Sequence, residues 1–144
     1  MGRIMAIDYG RKRSGLAVTD AMQLIAGGLT TVSSSNLVNY ISDYVLREPV
    51  DTVIVGLPRQ MNSEASENMK YVEAFVTHLK RTIPGIPVQF YDERFTSVLA
   101  KKAMIDGGLK KKKRQDKALV DEISAVIILQ SYLESRRNNT YINL

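Results

Sequence analysis

The sequence predicts a single α/β domain on a mixed five-stranded sheet, three strands forming an antiparallel meander and two joining in parallel. Three observations predict it. The apolar run Ile4 to Ile7 ends in Asp8 and returns through a basic turn into Leu16 to Thr19, which is the pattern of a hairpin. Thr52 to Gly56 is a short continuous β-branched run without alternation, as expected of a parallel strand covered on both faces, and Pro87 to Tyr91 reads as a second strand of the parallel type. Between and after them, apolar residues recur at helical spacing. At 144 residues and 44% apolar content, the chain can build one full core.

Taken in order, Ile4 to Ile7 form the first strand, Gly10 to Gly15 the basic turn and Leu16 to Thr19 the second strand. Gly27 and Gly28 lead into a third, Leu29 to Val32, and Ser33 to Asn36 form a polar cluster suited to capping. Leu37, Ile41, Tyr44 and Val45 mark a helix that Pro49 stops. The strand Thr52 to Gly56 ends at Gly56-Leu57-Pro58. A long helix over Ser63 to Thr82 then carries a core stripe of Met69, Val72, Phe75, Val76 and Leu79, and Pro84-Gly85 breaks it. Pro87 to Tyr91 is the last strand, and Asp92-Glu93-Arg94 stands at its end. A helix is expected from about Val98 to Ile105, then the basic run Lys110 to Arg114, then a helix from Val120 to about Arg136. The domain is expected to span residues 1–137, with 138–144 as a loose tail.

An acid that closes an apolar strand is held rigidly, with its oxygens facing out of the sheet edge, so Asp8 suits a cation; Asp also favours turns for local reasons, and position alone leaves both roles open. Right-handed crossovers would bring the ends of the parallel strands to one edge, where Asp8 and Glu93 share a crevice. The last helix supplies a third acid. Asp121 lines up with Ser124, Ala125, Ile128 and Tyr132, and Glu122 with Val126 and Leu129, so spacing leaves both open beside a role at the helix dipole. With no cysteine and one histidine, such a set is hard and oxygen-only, suited to Mg2+ or Mn2+. Two such ions about 4 Å apart activate a water and stabilise a leaving oxygen, the chemistry of phosphodiester hydrolysis. Three gathered anions repel, so metal is expected to stabilise the fold.

The chain has no apolar run long enough to span a membrane and enters strand pattern at once, so a cytosolic location is expected. The absence of cysteine excludes disulfides and thiolate zinc sites. A net charge of +5 and a pI near 9.5 point to a polyanion only where the charge clusters. It does: Arg11, Lys12 and Arg13 lie beside Asp8, Arg59 follows Gly56-Leu57-Pro58, and Arg94 follows Glu93. Lys111, Lys112, Lys113 and Arg114 form an arm before the last helix, placed to clamp a phosphate backbone. His78 reads as a surface helix residue and Tyr91 and Phe95 as core aromatics, while Ser14 and Thr96 lack a partner histidine to make either a nucleophile.

The motifs D-Y-G-x-K-R-x-G-x-A-V at Asp8 to Val18, G-L-P at Gly56 to Pro58, D-E-R at Asp92 to Arg94 and D-x-x-S-A at Asp121 to Ala125 resemble the YqgF family, described both as pre-16S rRNA nucleases and as Holliday-junction-resolvase-like proteins. The resemblance covers almost the whole chain. It implies an RNase H-like fold, a cytoplasmic bacterial nuclease that processes the 5′ end of pre-16S rRNA in ribosome biogenesis, and a catalytic, metal-binding trio of Asp8, Glu93 and Asp121. It thereby favours Asp121 over Glu122. One departure is visible: Met61-Asn62-Ser63 stands where the family often has an Asp-Gly pair. A branched-DNA resolvase and a non-catalytic nucleic-acid-binding module of transcription or rRNA maturation are the alternatives. Symmetric cutting of two strands requires a homodimer, whereas trimming one RNA end does not. An actin- or sugar-kinase-like ATPase would need two lobes and a second phosphate loop, for which the chain is too short.

Overall fold

A computed structural model describes residues 2–57, 63–92 and 117–142. Five strands, Arg3–Asp8 (β1), Arg13–Thr19 (β2), Ala26–Ser33 (β3), Val50–Leu57 (β4) and Val88–Asp92 (β5), form one sheet in the order β3-β2-β1-β4-β5. β1 to β3 are the antiparallel meander, and β4 runs parallel to both β1 and β5, as the sequence predicts. Leu37–Arg47 (α1) and Ser63–Thr82 (α2) pack on one face, and Lys117–Ile142 (α3) packs on the other.

Strand alternation assigns each side chain to a face. Met5 and Ile7 of β1, with Val53 and Val55 of β4, meet Leu37, Ile41, Val72, Phe75 and Leu79. Ile4, Ala6, Ala17 and Ile54 instead meet Ala125, Val126, Ile128, Leu129 and Leu133 of α3. The unbroken apolar run of β4 is thus consumed from both sides, and each fully buried Val, Leu or Ile contributes about 1.5 to 3 kcal/mol.

The structure corrects several boundaries. β2 begins at Arg13, so Arg13, Ser14 and Gly15, expected in the turn, pair instead with Ser33, Val32 and Thr31. Ser14 is tolerated in a buried strand because its hydroxyl has partners: Ser34 Oγ at 2.7 Å and the Gly10 N–H at 3.2 Å. The cluster after β3 forms a 3-10 turn, Ser34–Asn36, without side-chain capping, and the Ser34 N–H donates to the Lys12 carbonyl at 3.0 Å. Gly27 and Gly28 lie within β3. α3 starts earlier than expected and runs on to Ile142, past the helix end expected at about Arg136. The expected helix at residues 98–105 lies outside the described residues.

At the end of the sheet where β2 turns into β3, the Asp20 carboxylate accepts N–H bonds from Met22, Leu24 and Ile25 at 3.0, 2.9 and 2.8 Å. The Ile25 N–H above all, with Leu24 and Met22, holds this carboxyl below its ordinary pKa against a smaller opposing effect of desolvation. A depressed folded-state pKa adds stability that is present above the unfolded pKa, about 3.9, and lost as pH falls through the folded value. Asp20→Asn is therefore expected to melt below the parent at pH 7, and the gap should close as pH drops below about 4. Melting curves across that range, followed by circular dichroism, read the difference.

Candidate active site

Asp8 ends β1, and alternation places it, after Ile4 and Ala6, on the face that α3 covers. Its cross-strand partner is Gly15. The backbone of α3 passes so close over Gly15 that a Cβ there would lie 2.0 Å from the Asp121 carbonyl oxygen and 2.8 Å from the Glu122 nitrogen. Gly15 thus lets Asp121 come down beside the strand neighbour of Asp8, about one inter-strand spacing (~5 Å) away. The space for this approach is made on the sheet, by the missing side chain of Gly15.

Asp121 is half-buried, and its Oδ2 accepts from Arg13 Nε at 3.0 Å. It is the fifth residue of α3, beyond the first turn where a helix-dipole role would act. Glu122 is also on the packed side, but its carboxylate reaches over Gly28 of β3, where a Cβ would stand 2.3 Å from Oε1. The two acids that helical spacing could not separate therefore serve different places: Asp121 above the strand next to Asp8, and Glu122 one strand further out.

Beside Asp121 opens a cleft of about 510 Å³ lined by Gly10, Arg11, Lys12, Arg13, Glu67 and Asn68. Three of the expected phosphate-binding residues meet there. Arg11 Nε donates to Asn68 Oδ1 at 3.0 Å, its Nη2 pairs with Glu67 Oε2 at 3.2 Å, and its guanidinium lies 4.4 Å from the centre of the Tyr71 ring. Lys12 is exposed. Tyr9, next to Asp8, stacks on Phe75 with ring centroids 5.1 Å apart, and burial holds its phenol above the ordinary pKa, with Tyr71 adding to the effect.

Tyr91 packs edge-on against Tyr132 at 5.8 Å and shares a hydrogen bond with Ser131 at 2.7 Å, the structural role expected of it. His78 is exposed on α2. Glu93 follows Asp92, the last residue of β5, but lies outside the described residues, as do Arg59, Arg94, Lys111, Lys112, Lys113, Arg114 and Phe95. Among the described residues no group of three or more metal-ligating side chains occurs. The described acids nevertheless fit a hard divalent cation: Asp8 and Asp121 offer carboxylate oxygens from adjoining elements, and Asp121 already holds a cationic group. Sequence reasoning missed Gly15, Gly28, Asn68 and Tyr71. The glycines could have been found only by asking what passes over a strand.

Residues 2–135 match the family model described as RuvX: Holliday junction resolvase. A Parabacteroides distasonis protein named "Putative pre-16S rRNA nuclease" is 74% identical over 137 residues, covering 95% of this chain and 98% of that one. Proteins of the same name from Bacteroides thetaiotaomicron and Porphyromonas gingivalis are 65% and 57% identical, over 95% and 94% of this chain and 99% and 98% of theirs. Among solved structures, T. thermophilus RuvC in complex with Holliday junction substrate superposes with a TM-score of 0.62 at 16% identity, over 95% of this chain and 96% of that one. The RuvC-like RNase H fold is thereby shown. No helix among the described residues is long and apolar enough to cross a membrane.

Proposed function

This chain belongs to the RuvX family, and on that premise we propose that it is a metal-dependent nuclease that hydrolyses phosphodiester bonds and acts in the cytoplasm on the 5′ end of pre-16S rRNA during ribosome biogenesis. The observation that carries the reading is the approach of Asp121 to the strand neighbour of Asp8, beside a cleft lined by Arg11, Lys12 and Arg13. Relatives that bear the pre-16S rRNA nuclease name, one of them 74% identical, support the choice of substrate.

On this reading Asp8, Glu93 and Asp121 would hold a pair of Mg2+ or Mn2+ ions. Such ions supply an activated water and charge stabilisation at the leaving oxygen. The chain's own residues do the rest. Asp8 is fixed by the last pairing of β1 with β2, and Asp121 by the seat of α3 on Gly15, so neither acid needs to be assembled when substrate arrives. Arg11, Lys12 and Arg13 bind the backbone phosphates on either side of the scissile bond, and Arg59, Arg94 and Lys111 to Arg114 extend that grip. Contacts of this type give affinity and position without reading sequence.

The family's description as a resolvase favours branched DNA as the second reading, and on it a homodimer would cut two strands symmetrically. The test is cleavage of an end-labelled precursor rRNA and a four-way DNA junction side by side, with manganese or with EDTA, together with a mass measurement in solution. Manganese-dependent shortening of the RNA is expected. Cutting of the junction alone, by a dimer, would transfer the assignment to the resolvase. Binding of both without cutting of either would make the chain a non-catalytic module.

A further inference from the structure

We propose that the crevice between α1 and α2 is a base-binding subsite that takes an unpaired nucleobase from the strand whose phosphates lie in the neighbouring cleft. The proposal rests on the nuclease reading and adds to it a demand for single-stranded substrate. The crevice encloses about 310 Å³ and is lined by Tyr9, Phe75 and Tyr71, with Ser35, Asn39 and His78 among its polar residues. That volume lies at the small end of the range for ligand pockets, about 300 to 1,000 Å³.

Three features argue for a base. The first is the aromatic lining: Tyr9 and Phe75 are stacked on each other, while Tyr71 keeps 49% of its surface exposed. Exposed rings beside a basic groove are how proteins hold single strands, because every base has a π-face. The second is the polar lining: Ser35, Asn39 and His78 are all exposed, and they offer the donors and acceptors that a base edge requires. The third is continuity with the candidate active site. Tyr9 is the residue after Asp8, and Arg11 lines the phosphate cleft while its guanidinium lies over Tyr71. A strand with one phosphate against Arg11 has its next base at the mouth of this crevice. A base within a duplex is stacked between its neighbours and cannot enter without being extruded.

The experiment measures binding in EDTA, so that no cleavage intervenes, using a short fluorescein-labelled oligoribonucleotide and the same sequence as a duplex. Tyr71→Ala is expected to weaken single-strand binding about 5- to 150-fold, the range that loss of one stacked base produces. Duplex binding and the salt dependence should stay as in the parent. Tyr71→Phe should restore single-strand affinity. Arg11→Gln should instead flatten the single-strand salt dependence by about 0.7 log units per decade. As a second readout, 2-aminopurine in the oligonucleotide should be quenched by the parent and by Tyr71→Phe but not by Tyr71→Ala. Equal losses on single strand and duplex, or none on either, would overturn the subsite. Failure to cut precursor rRNA would instead remove the nuclease reading while leaving these binding ratios readable.

Discussion

Asp8→Asn is expected to lower phosphodiester cleavage by about 10³-fold or more while the fold and the affinity for nucleic acid persist. The amide has the shape of the carboxylate, so the end of β1 and its pairing with Gly15 should survive. What disappears is a negative oxygen at the place where the proposed cation would bind. Removal of one anion near Asp121 also relieves repulsion, so the metal-free melting temperature should hold or rise. The rise that saturating manganese produces in the parent should shrink in the variant. Thermal melts with and without manganese, run beside the cleavage assay, separate a ligand from a residue that only starts the turn. Parent-like cleavage by Asp8→Asn would assign the residue to the turn.

Gly15→Ala should be the most damaging single methyl in the described part of the chain. Its Cβ would meet backbone atoms of α3, the Asp121 carbonyl oxygen at 2.0 Å and carbon at 2.3 Å, and no rotamer change can relieve that. The helix must lift from the sheet, at a cost of about 3 kcal/mol and a fall in melting temperature on the order of 10 °C. Cleavage should fall further than the loss of folded protein explains, because Asp121 moves away from Asp8 and a misplacement of about 1 Å can cost 10²-fold. Gly28→Ala is the control. Its new methyl meets the carboxylate end of Glu122, a flexible group that can swing aside, so a change under about 1 kcal/mol is expected. Melting and cleavage measured on the two variants give the contrast, and similar losses in both would show that α3 is not seated on Gly15.

The order of elements was legible because each strand is an apolar run closed by a turn residue, and because β4 lacks alternation. The start of β2 was not, since Arg13, Ser14 and Gly15 have the composition of a turn. They become strand through tertiary partners: Ser14 through the hydroxyl of Ser34, and Gly15 through the helix pressed on it. The length of α3 was underestimated for a related reason. Arg136 donates to Gln23 and Arg137 to the Leu24 carbonyl, both at 3.1 Å, tying the last expected turn to the β2–β3 connection, and the helix continues from there to Ile142. No local pattern announces such contacts. At the site, Asp8 could be read from its strand, but periodicity could not divide Asp121 from Glu122, because both stripes are packed. The crevice around Tyr71 joins Tyr9, just after β1, with residues of the 3-10 turn, α1 and α2 that have no shared signal in sequence.

The pairing of Arg13 with Asp121 has a consequence for how the protein would be charged with metal. Arg13 and Asp121 stand 108 positions apart in the chain, and the sheet-helix contact presses them together. On the proposed reading, a divalent ion held at Asp121 would compete with the guanidinium already tethered there, so loading would be an ion exchange instead of a simple addition. Arg13, which lines the cleft, would then be released toward a polyanion, and metal uptake and substrate capture would become linked events.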